Sequence, residues 1–364
     1  MRSTAGQWIG VAIVAALMFG PRVAAQEITS TLDAIAARAR ESRQLPGVNV
    51  AVRLGDRMLL AKGYGQADIE NHVPATAETV YQIGSITRVF TAASVLKLVS
   101  QGQLRLDDPV AIRLPTFSLQ AKGVTIGHLL THTSGIPNYS DMIGPRERAV
   151  DLTPREVVER FADKPLEFPP ATMQRTSSSN YFLLGLIIEQ VTKLTYREYI
   201  ERELRAAGFH DTVYCDRRRL IERRARGYER GEQGFENARY IEMNASFAAG
   251  ALCSTVSDLV NWSRALMKGG IIPIEQVREM TTPVRINDQV QAYGAGLELD
   301  QLDGHSRIHH EGAVDGFSGE VAHYPELDLT IAVLTNVVPT RGNRAADVES
   351  VGSELARAVF KARR

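Results

Sequence analysis

The sequence is short of cysteine, has no excess charge of either sign, and has no long apolar run beyond its N-terminal segment. It holds 42 basic and 42 acidic residues, so its formal net charge is zero. A chain whose main partner is nucleic acid or an anionic membrane surface carries a basic excess. The charge balance therefore argues against both kinds of partner and favours a small molecule or a peptide.

Two cysteines, Cys215 and Cys253, are too few for a disulfide framework. Neither lies in the Cys-x-x-Cys spacing of a zinc or redox site. An exported protein could pair them, but the sequence does not give their separation in space. Whether they form a disulfide is left open at this point.

The first residues have the pattern of a secretory signal peptide. Arg2 supplies a positive start, residues 8–19 are mostly apolar, and small residues precede Gln26. The apolar run is too short to span a bilayer, which disfavours the alternative of a membrane anchor. We therefore predict a signal peptide over residues 1–25 and an exported mature protein, periplasmic or secreted, with no membrane span.

The order of elements predicts an α/β protein of the α+β type. A helix at 31–43 and a hairpin at 48–64 come first, a mostly helical middle follows, and strands and a last helix return after residue 293. We expect one antiparallel sheet flanked by helices, built from residues 26–84 and 270–364. A mostly helical lobe, residues 85–269, would be inserted into it, with a ligand cleft between the two.

The stretch YQIGSITRVFT, residues 81–91, joins the two predicted parts. Ser85 begins a helical pattern there, and serine is a favoured N-cap residue. The orphan N–H groups and the helix dipole favour negative charge at that end, which suits a serine nucleophile. Arg88 follows one turn later, where its side chain returns beside Ser85.

Five stretches together resemble the β-lactamase-related serine hydrolases, a family that includes class C β-lactamases, D-alanyl-D-alanine carboxypeptidases and esterases. They occur in the family's order across nearly the whole predicted mature chain. They are QIGSIT at 82–87, IGHLLTHTSGIP at 126–137, YFLLGLIIE at 181–189, AAGALCSTVSDL at 248–259, and HEG at 310–312 followed by GFS at 316–318.

The resemblance implies a β-lactamase/DD-peptidase-like fold for residues 26–364 and acyl transfer as the reaction. Ser85 would attack an ester or amide carbonyl and form an acyl-enzyme, which water then releases. The backbone N–H groups of Ser85 and Ala313 would form the oxyanion hole, with Gly312 beside them in the third motif. The family implies no cofactor, and we predict no metal site.

The sequence departs from the family at its proton-handling residues. Arg88 stands where the family has a lysine, and an arginine does not lose its proton at any relevant pH. Thr176 stands where the family has a tyrosine, and Ser178 where it has an asparagine. His310 titrates in the range suited to a base, so it is a candidate substitute as well as a polar residue of the cleft.

These substitutions leave three functions open. The first is a hydrolase that acts on a β-lactam, a D-alanyl peptide or a small ester with an atypical proton relay. The second is a catalytically impaired relative that binds a peptidoglycan-like or acyl ligand, or a protein partner. The third is an exported structural protein with no ligand. Loss of one member of an acid–base unit commonly costs several orders of magnitude in rate.

Overall fold

The computed structural model describes residues 21–115, 117, 120–338 and 346–363. Residues 1–20, most of the predicted signal peptide, lie outside this set, and the signal peptide stays a prediction. In the described part of the chain, no helix is long and apolar enough to cross a membrane.

A seven-stranded antiparallel sheet forms the centre of the fold. In chain order the strands are β1 (Gly47–Leu54), β2 (Arg57–Asp68), β3 (Val73–Pro74), β4 (Tyr81–Gln82), β5 (Val213–Tyr214), β6 (Tyr228–Gly231), β7 (Gly234–Asn237), β8 (Leu252–Ser254), β9 (Arg285–Ile286), β10 (Gln289–Val290), β11 (Glu298–Leu302), β12 (His305–Val314), β13 (Phe317–Tyr324) and β14 (Leu329–Thr335). The large sheet has the order β11-β12-β13-β14-β1-β2-β3. The sheet combines strands from the early part of the chain, β1 to β3, with strands from its late part, β11 to β14, as the sequence predicts.

The helices cover both faces of this sheet and fill the middle of the chain. They are α1 (Pro21–Ser42), α2 (Thr87–Ser100), α3 (Val110–Arg113), α4 (Ile126–Leu130), α5 (Pro145–Arg148), α6 (Pro154–Glu159), α7 (Ser178–Thr192), α8 (Tyr196–Ala206), α9 (Met243–Ser246), α10 (Val256–Met267), α11 (Ile274–Met280) and α12 (Ala346–Ala362). The predicted α+β class with an antiparallel sheet and flanking helices is confirmed.

Strand β1 shows how the sequence builds two cores. Because side chains alternate across a strand, Val50 and Val52 face one side of the sheet and Ala51 faces the other. The two valines pack with the terminal helices α1 and α12, while Ala51 belongs to the larger core of α2, α7 and α10. The active-site candidates lie on the side of the larger core.

The middle of the chain is less separate than the predicted lobe of residues 85–269 suggests. Helix α10 lies within that range but packs directly on β1 and β14 of the large sheet. A small sheet of order β4-β8-β5 also links the residues just before Ser85 to the middle of the chain. The helical middle and the sheet therefore share one continuous core.

A disulfide joins Cys215, at the end of β5, to Cys253 in β8. Their Cα atoms lie 5.2 Å apart, within the range that a disulfide spans. The structure thus settles the pairing that the sequence left open. The bond fixes β8, whose other edge pairs with β4, two residues before Gly84.

Candidate active site

Ser85 lies in a single turn of 3-10 helix, Gly84–Ile86, that leads into α2. The predicted role of Ser85 as the helix cap is wrong. Ile86 occupies the capping position of α2, and no side chain caps the helix. No hydrogen bond to the Ser85 hydroxyl is formed within the described part of the chain, and the residue faces a cavity. The hydroxyl is therefore not tied to the helix end.

Two glycines bring this turn against strand β12. Gly84 has a φ of 50°, a conformation that residues with a side chain rarely adopt. A Cβ on Gly84 would lie 2.8 Å from the backbone of Ala313, and a Cβ on Gly312 would lie 2.0 Å from the carbonyl oxygen of Ile83. Only residues without a side chain permit this approach, which sets Ser85 beside Ala313.

The backbone amide of Ala313 points away from the neighbouring strand β13. Val314 pairs with Phe317 around a two-residue turn, so these two residues exchange the hydrogen bonds that close the hairpin. Paired residues alternate along an antiparallel ladder, and Ala313 therefore directs its N–H toward the opposite edge. Strand β11 pairs with β12 only as far as His309, so that edge is open at Ala313.

A cavity of about 180 Å³ opens at this point. It brings together three of the predicted site residues, Ser85, Ser178 and Ala313. Polar residues and backbone donors of its lining include Ser85, Tyr139, Ser140, Arg148, Ser178, Ala313 and Asp315. Its size suits a small acyl group rather than a folded macromolecule.

Arg88 is buried beneath this cavity, with 7% of its surface exposed. Its Nη2 atom donates a hydrogen bond to the hydroxyl of Ser178 at 3.0 Å. Its Cζ atom lies 5.8 Å from the centre of the Tyr181 ring. The guanidinium thus reaches the cavity through Ser178, and it makes no hydrogen bond with Ser85.

Thr176 lies elsewhere. It is exposed, two residues before α7 begins, and it does not line the cavity. The hydroxyl that does face the cavity from this segment belongs to Ser178. The structure therefore does not place Thr176 where a proton relay would need it.

His310 is buried and also lies off the cavity lining. Its Nδ1 atom is 2.5 Å from the carbonyl oxygen of Glu311. Burial, together with the positive charge of Arg88, lowers the pKa of His310 to about 3. The imidazole is neutral at neutral pH and is a weak base, so the predicted substitute role gains no support from its surroundings.

Sequence reasoning missed two residues of the cavity, Tyr139 and Arg148. The Tyr139 hydroxyl donates to the carbonyl oxygen of Ala245 at 2.5 Å, and burial raises the pKa of this phenol. Arg148, in α5, donates to the backbone carbonyls of Ile143 and Ser140 at 3.2 and 3.4 Å. Tyr139 lies two residues after the end of the 126–137 motif, but nothing in the sequence around Arg148 distinguishes it from its arginine neighbours.

The described residues contain no group of three or more His, Cys, Asp or Glu side chains placed to bind a metal ion. His309 and His310 project to opposite faces of β12, as expected of neighbours on a strand.

A family model described as "Beta-lactamase" matches residues 32–355, which is most of the chain. The chain belongs to the Beta-lactamase family. The predicted relationship to the β-lactamase-related serine hydrolases is confirmed.

Two curated proteins resemble the chain over most of its length. Protein flp of Staphylococcus aureus (strain MRSA252) is 28% identical over 322 residues, which cover 84% of this chain and 62% of that protein. Penicillin-binding protein 4* of Bacillus subtilis (strain 168) is 28% identical over 320 residues, 81% of this chain and 69% of that protein. The chain thus spans about three fifths of the length of protein flp.

Among solved structures, the octameric penicillin-binding protein homologue from Pyrococcus abyssi superposes with a TM-score of 0.80. It is 28% identical in sequence, and the match covers 91% of this chain and 77% of that one. The predicted β-lactamase/DD-peptidase-like fold is confirmed.

Proposed function

We propose that the protein is an exported serine hydrolase that forms an acyl-enzyme at Ser85 with a small ester or amide. One observation carries this proposal. The Ser85 hydroxyl, without a hydrogen-bond partner in the described chain, shares a cavity with the outward-directed amide of Ala313. A carbonyl placed there would meet the nucleophile and two backbone donors, the N–H groups of Ser85 and Ala313.

No described side chain forms a hydrogen bond with the Ser85 hydroxyl, although the cavity lining includes the carboxyl group of Asp315. Arg88 cannot accept the proton of Ser85, and the Tyr139 hydroxyl already donates to a carbonyl. In the proposed reaction the Ser85 oxygen bonds to the carbonyl carbon, the bond to the leaving group breaks, and the proton passes through cavity water to the departing atom. The positive charge of Arg88 favours the developing negative charge nearby.

This relay favours reactive acyl donors. An amine leaves only when it is protonated, and a site without a strong general acid protonates it slowly. The aryl oxide of an aryl ester departs more readily than an amine, and the strained ring of a β-lactam favours cleavage of its amide bond. Among the substrate classes open to the family, we therefore propose activated esters and β-lactams before D-alanyl peptides. The name of the relative penicillin-binding protein 4* is consistent with a β-lactam ligand.

Arg148 suits the recognition of a carboxylate on such a substrate. It lines the cavity, and its guanidinium donates hydrogen bonds to two backbone carbonyls. It forms no ion pair with any described carboxylate. β-Lactams and D-alanyl peptides both carry a carboxylate near the scissile bond, so Arg148 would orient them over Ser85.

Export is part of the proposal. The Cys215–Cys253 disulfide supports it, because disulfides persist in oxidising compartments such as the periplasm and the extracellular space. The signal pattern of residues 1–25 supports it independently.

Labelling of Ser85 tests the function directly. Incubation with a fluorophosphonate, and separately with a penicillin, should add one adduct to the intact mass of the protein. The adduct should be lost in Ser85→Ala and kept in Ser140→Ala, a control serine that lines the same cavity. An unlabelled wild-type protein between pH 6 and 9 would contradict the hydrolase.

A second candidate function is ligand binding without turnover. The Arg88–Ser178 hydrogen bond favours it, because it holds a permanent cation at the position where the family has its base. It predicts saturable penicillin binding in equilibrium dialysis without a covalent adduct. The same Ser85→Ala variant separates the two functions, because it would leave non-covalent binding intact.

A further inference from the structure

A second cavity, which we call the α2–α8 cavity, lies between helices α2, α8 and α10. Its volume is about 210 Å³, and it shares no lining residue with the active-site cavity. The α2 residues of its lining are spaced i, i+3, i+4 and i+7, so they share one face of that helix. They are Phe90, Ala93, Ser94 and Lys97. The proposed reaction at Ser85 makes no use of this cavity.

With the exception of Ser94, the buried side chains that line the α2–α8 cavity are apolar. The rings of Phe90 and Trp262 stack with their centres 3.8 Å apart. Ile200 and Leu204 line the cavity from α8. Since an apolar cavity of about 150 Å³ can hold one benzene ring, this lining suits a ligand with a single aromatic ring.

Ser94 places a hydroxyl in this apolar lining. The residue has 6% of its surface exposed, and its hydroxyl forms no hydrogen bond with any other described residue. Buried hydroxyl groups nearly always have a partner, and a serine within a helix can donate to the carbonyl four residues before it. The Ser94 hydroxyl does not do so and is therefore available to a ligand in the cavity.

Lys97 adds a positive charge one turn after Ser94. Its Nζ atom donates to Oε2 of Glu203 at 2.6 Å, while Arg202 donates to Oε1 of the same carboxylate at 3.1 Å. Both oxygens of Glu203 thus have a cationic partner, and the two positive charges exceed its single negative charge. An ammonium group has three donors, and Lys97 uses one of them on Glu203. The Lys97 side chain is 34% exposed, so it lies where the cavity meets solvent.

We propose that the α2–α8 cavity binds a small carboxylate with one aromatic ring, such as benzoate. The ring would pack against Phe90 and Trp262, and the carboxylate would accept hydrogen bonds from Lys97 Nζ and the Ser94 hydroxyl. Residues three apart on a helix are neighbours, so one carboxylate can reach both groups. A neutral ring would leave the excess positive charge unbalanced. A carboxylate without a ring would leave the apolar lining in contact with water.

Trp262 reports on this site directly, because it is the only tryptophan of the predicted mature chain, residues 26–364. Benzoate should change the tryptophan fluorescence along a saturable curve, with a dissociation constant of about 1 mM or lower. Acetate has the charge without the ring, and benzamide has the ring without the charge. Each should bind at least about tenfold more weakly than benzoate. An unsaturable response to benzoate, or equal affinity for benzoate and either analogue, would overturn the proposal.

Lys97→Gln removes the cation and nearly keeps the side-chain length. It should raise the dissociation constant of benzoate about tenfold and leave that of benzamide unchanged. Lys361→Gln, at an exposed position on α12, is the matched control and should bind benzoate as the wild type does. A wild-type benzoate affinity in Lys97→Gln would count against the site.

Arg148→Gln tests whether benzoate binds in the active-site cavity instead. The fluorescence response should be unchanged in this variant, because Arg148 lines only the other cavity. Loss of the response in Arg148→Gln would place benzoate beside Ser85 and overturn the proposal. The titration of the wild-type protein does not depend on whether any variant folds.

Discussion

Arg88 lies about one helical turn after Ser85, and its Nη2 atom donates a hydrogen bond to the hydroxyl of Ser178 at 3.0 Å. At these two positions the family has a lysine, whose amine can titrate, and an asparagine. This chain has a permanently charged guanidinium and a hydroxyl instead. Since Ser178 accepts this hydrogen bond, its own O–H is directed elsewhere, and the residue lines the cavity. The guanidinium thus places a positive charge next to the cavity, but neither it nor the Ser178 hydroxyl can act as a general base.

Arg88→Lys should restore a proton acceptor. Burial disfavours a charged ammonium and lowers its pKa, so a fraction of the lysine would be neutral near pH 8. Because general base catalysis contributes about 10²–10⁴-fold, we expect hydrolysis of p-nitrophenyl acetate to rise by about tenfold or more. Arg88→Met, which has no titratable group, is the control. Equal rates for the two variants would show that loss of the base is not what limits turnover.

Arg148→Gln should separate charged from neutral substrates. Loss of a charge-assisted hydrogen bond costs about 1.5–3 kcal/mol, so KM or the labelling concentration for a penicillin should rise about tenfold or more. A neutral aryl ester should react as with the wild type. Arg146→Gln changes an exposed neighbour on the same helix and serves as the control. The same loss for both substrates would point to damage of the cavity rather than of carboxylate recognition.

Removal of the disulfide should destabilise the protein and its active site together. The bond closes a loop with a sequence separation of 38, for which the chain-entropy model gives about 3–4 kcal/mol. The double variant Cys215→Ala/Cys253→Ala should unfold at lower urea, and dithiothreitol should shift the wild type toward the same midpoint. Unchanged unfolding of the double variant would mean that the sheet β4-β8-β5 is held by its packing alone.

Glu311 gives a pH dependence to stability. Burial, followed by the charges of Glu349 and Glu298, raises the pKa of its carboxyl from 4.5 to about 8. The folded protein therefore binds a proton that the unfolded chain has already released, and stability falls as the pH rises from about 4.5 through 8. Over that range we expect a loss of about 1–2 kcal/mol, since the side chain is partly exposed and Arg307 offsets part of the repulsion.

Urea unfolding at pH 5.5 and pH 8 measures this effect. Glu311→Gln should reduce the difference between the two midpoints, because its amide does not titrate. Glu236→Gln, at an exposed position on β7, should leave the difference as in the wild type. A larger difference in Glu311→Gln would contradict the assigned direction.

The sequence predicted most of the fold, because its signals are local. The hairpin of β1 and β2 follows from alternating residues around Gly55, and the sheet shared by the first and last segments follows from the order of hairpin, helical middle and late strands. Ser85 and Ala313, which the resemblance assigns to an oxyanion hole, both line one cavity, and their catalytic roles stay a prediction. These features depend on periodicity and on short motifs.

The remaining features depend on tertiary contacts. Ser85 does not cap helix α2, because the chain enters a 3-10 turn at Gly84, whose φ is 50°, before the helix begins. Thr176 aligned with a catalytic tyrosine but lies exposed, and Arg148 reaches the cavity from the short helix α5, which carries no family motif. No local pattern reports which side of a loop faces a distant strand.

The contact between the Ser85 turn and Gly312 also has a consequence for biosynthesis. Ser85 emerges early from the ribosome, whereas the strand that carries Gly312 and Ala313 comes near the end of the chain. Contacts between residues so distant in sequence form late, after much loop-closure entropy has been lost. A partly synthesised chain thus carries Ser85 without the amide of Ala313, and in the proposed mechanism acylation would have to wait until nearly all of the chain has been made.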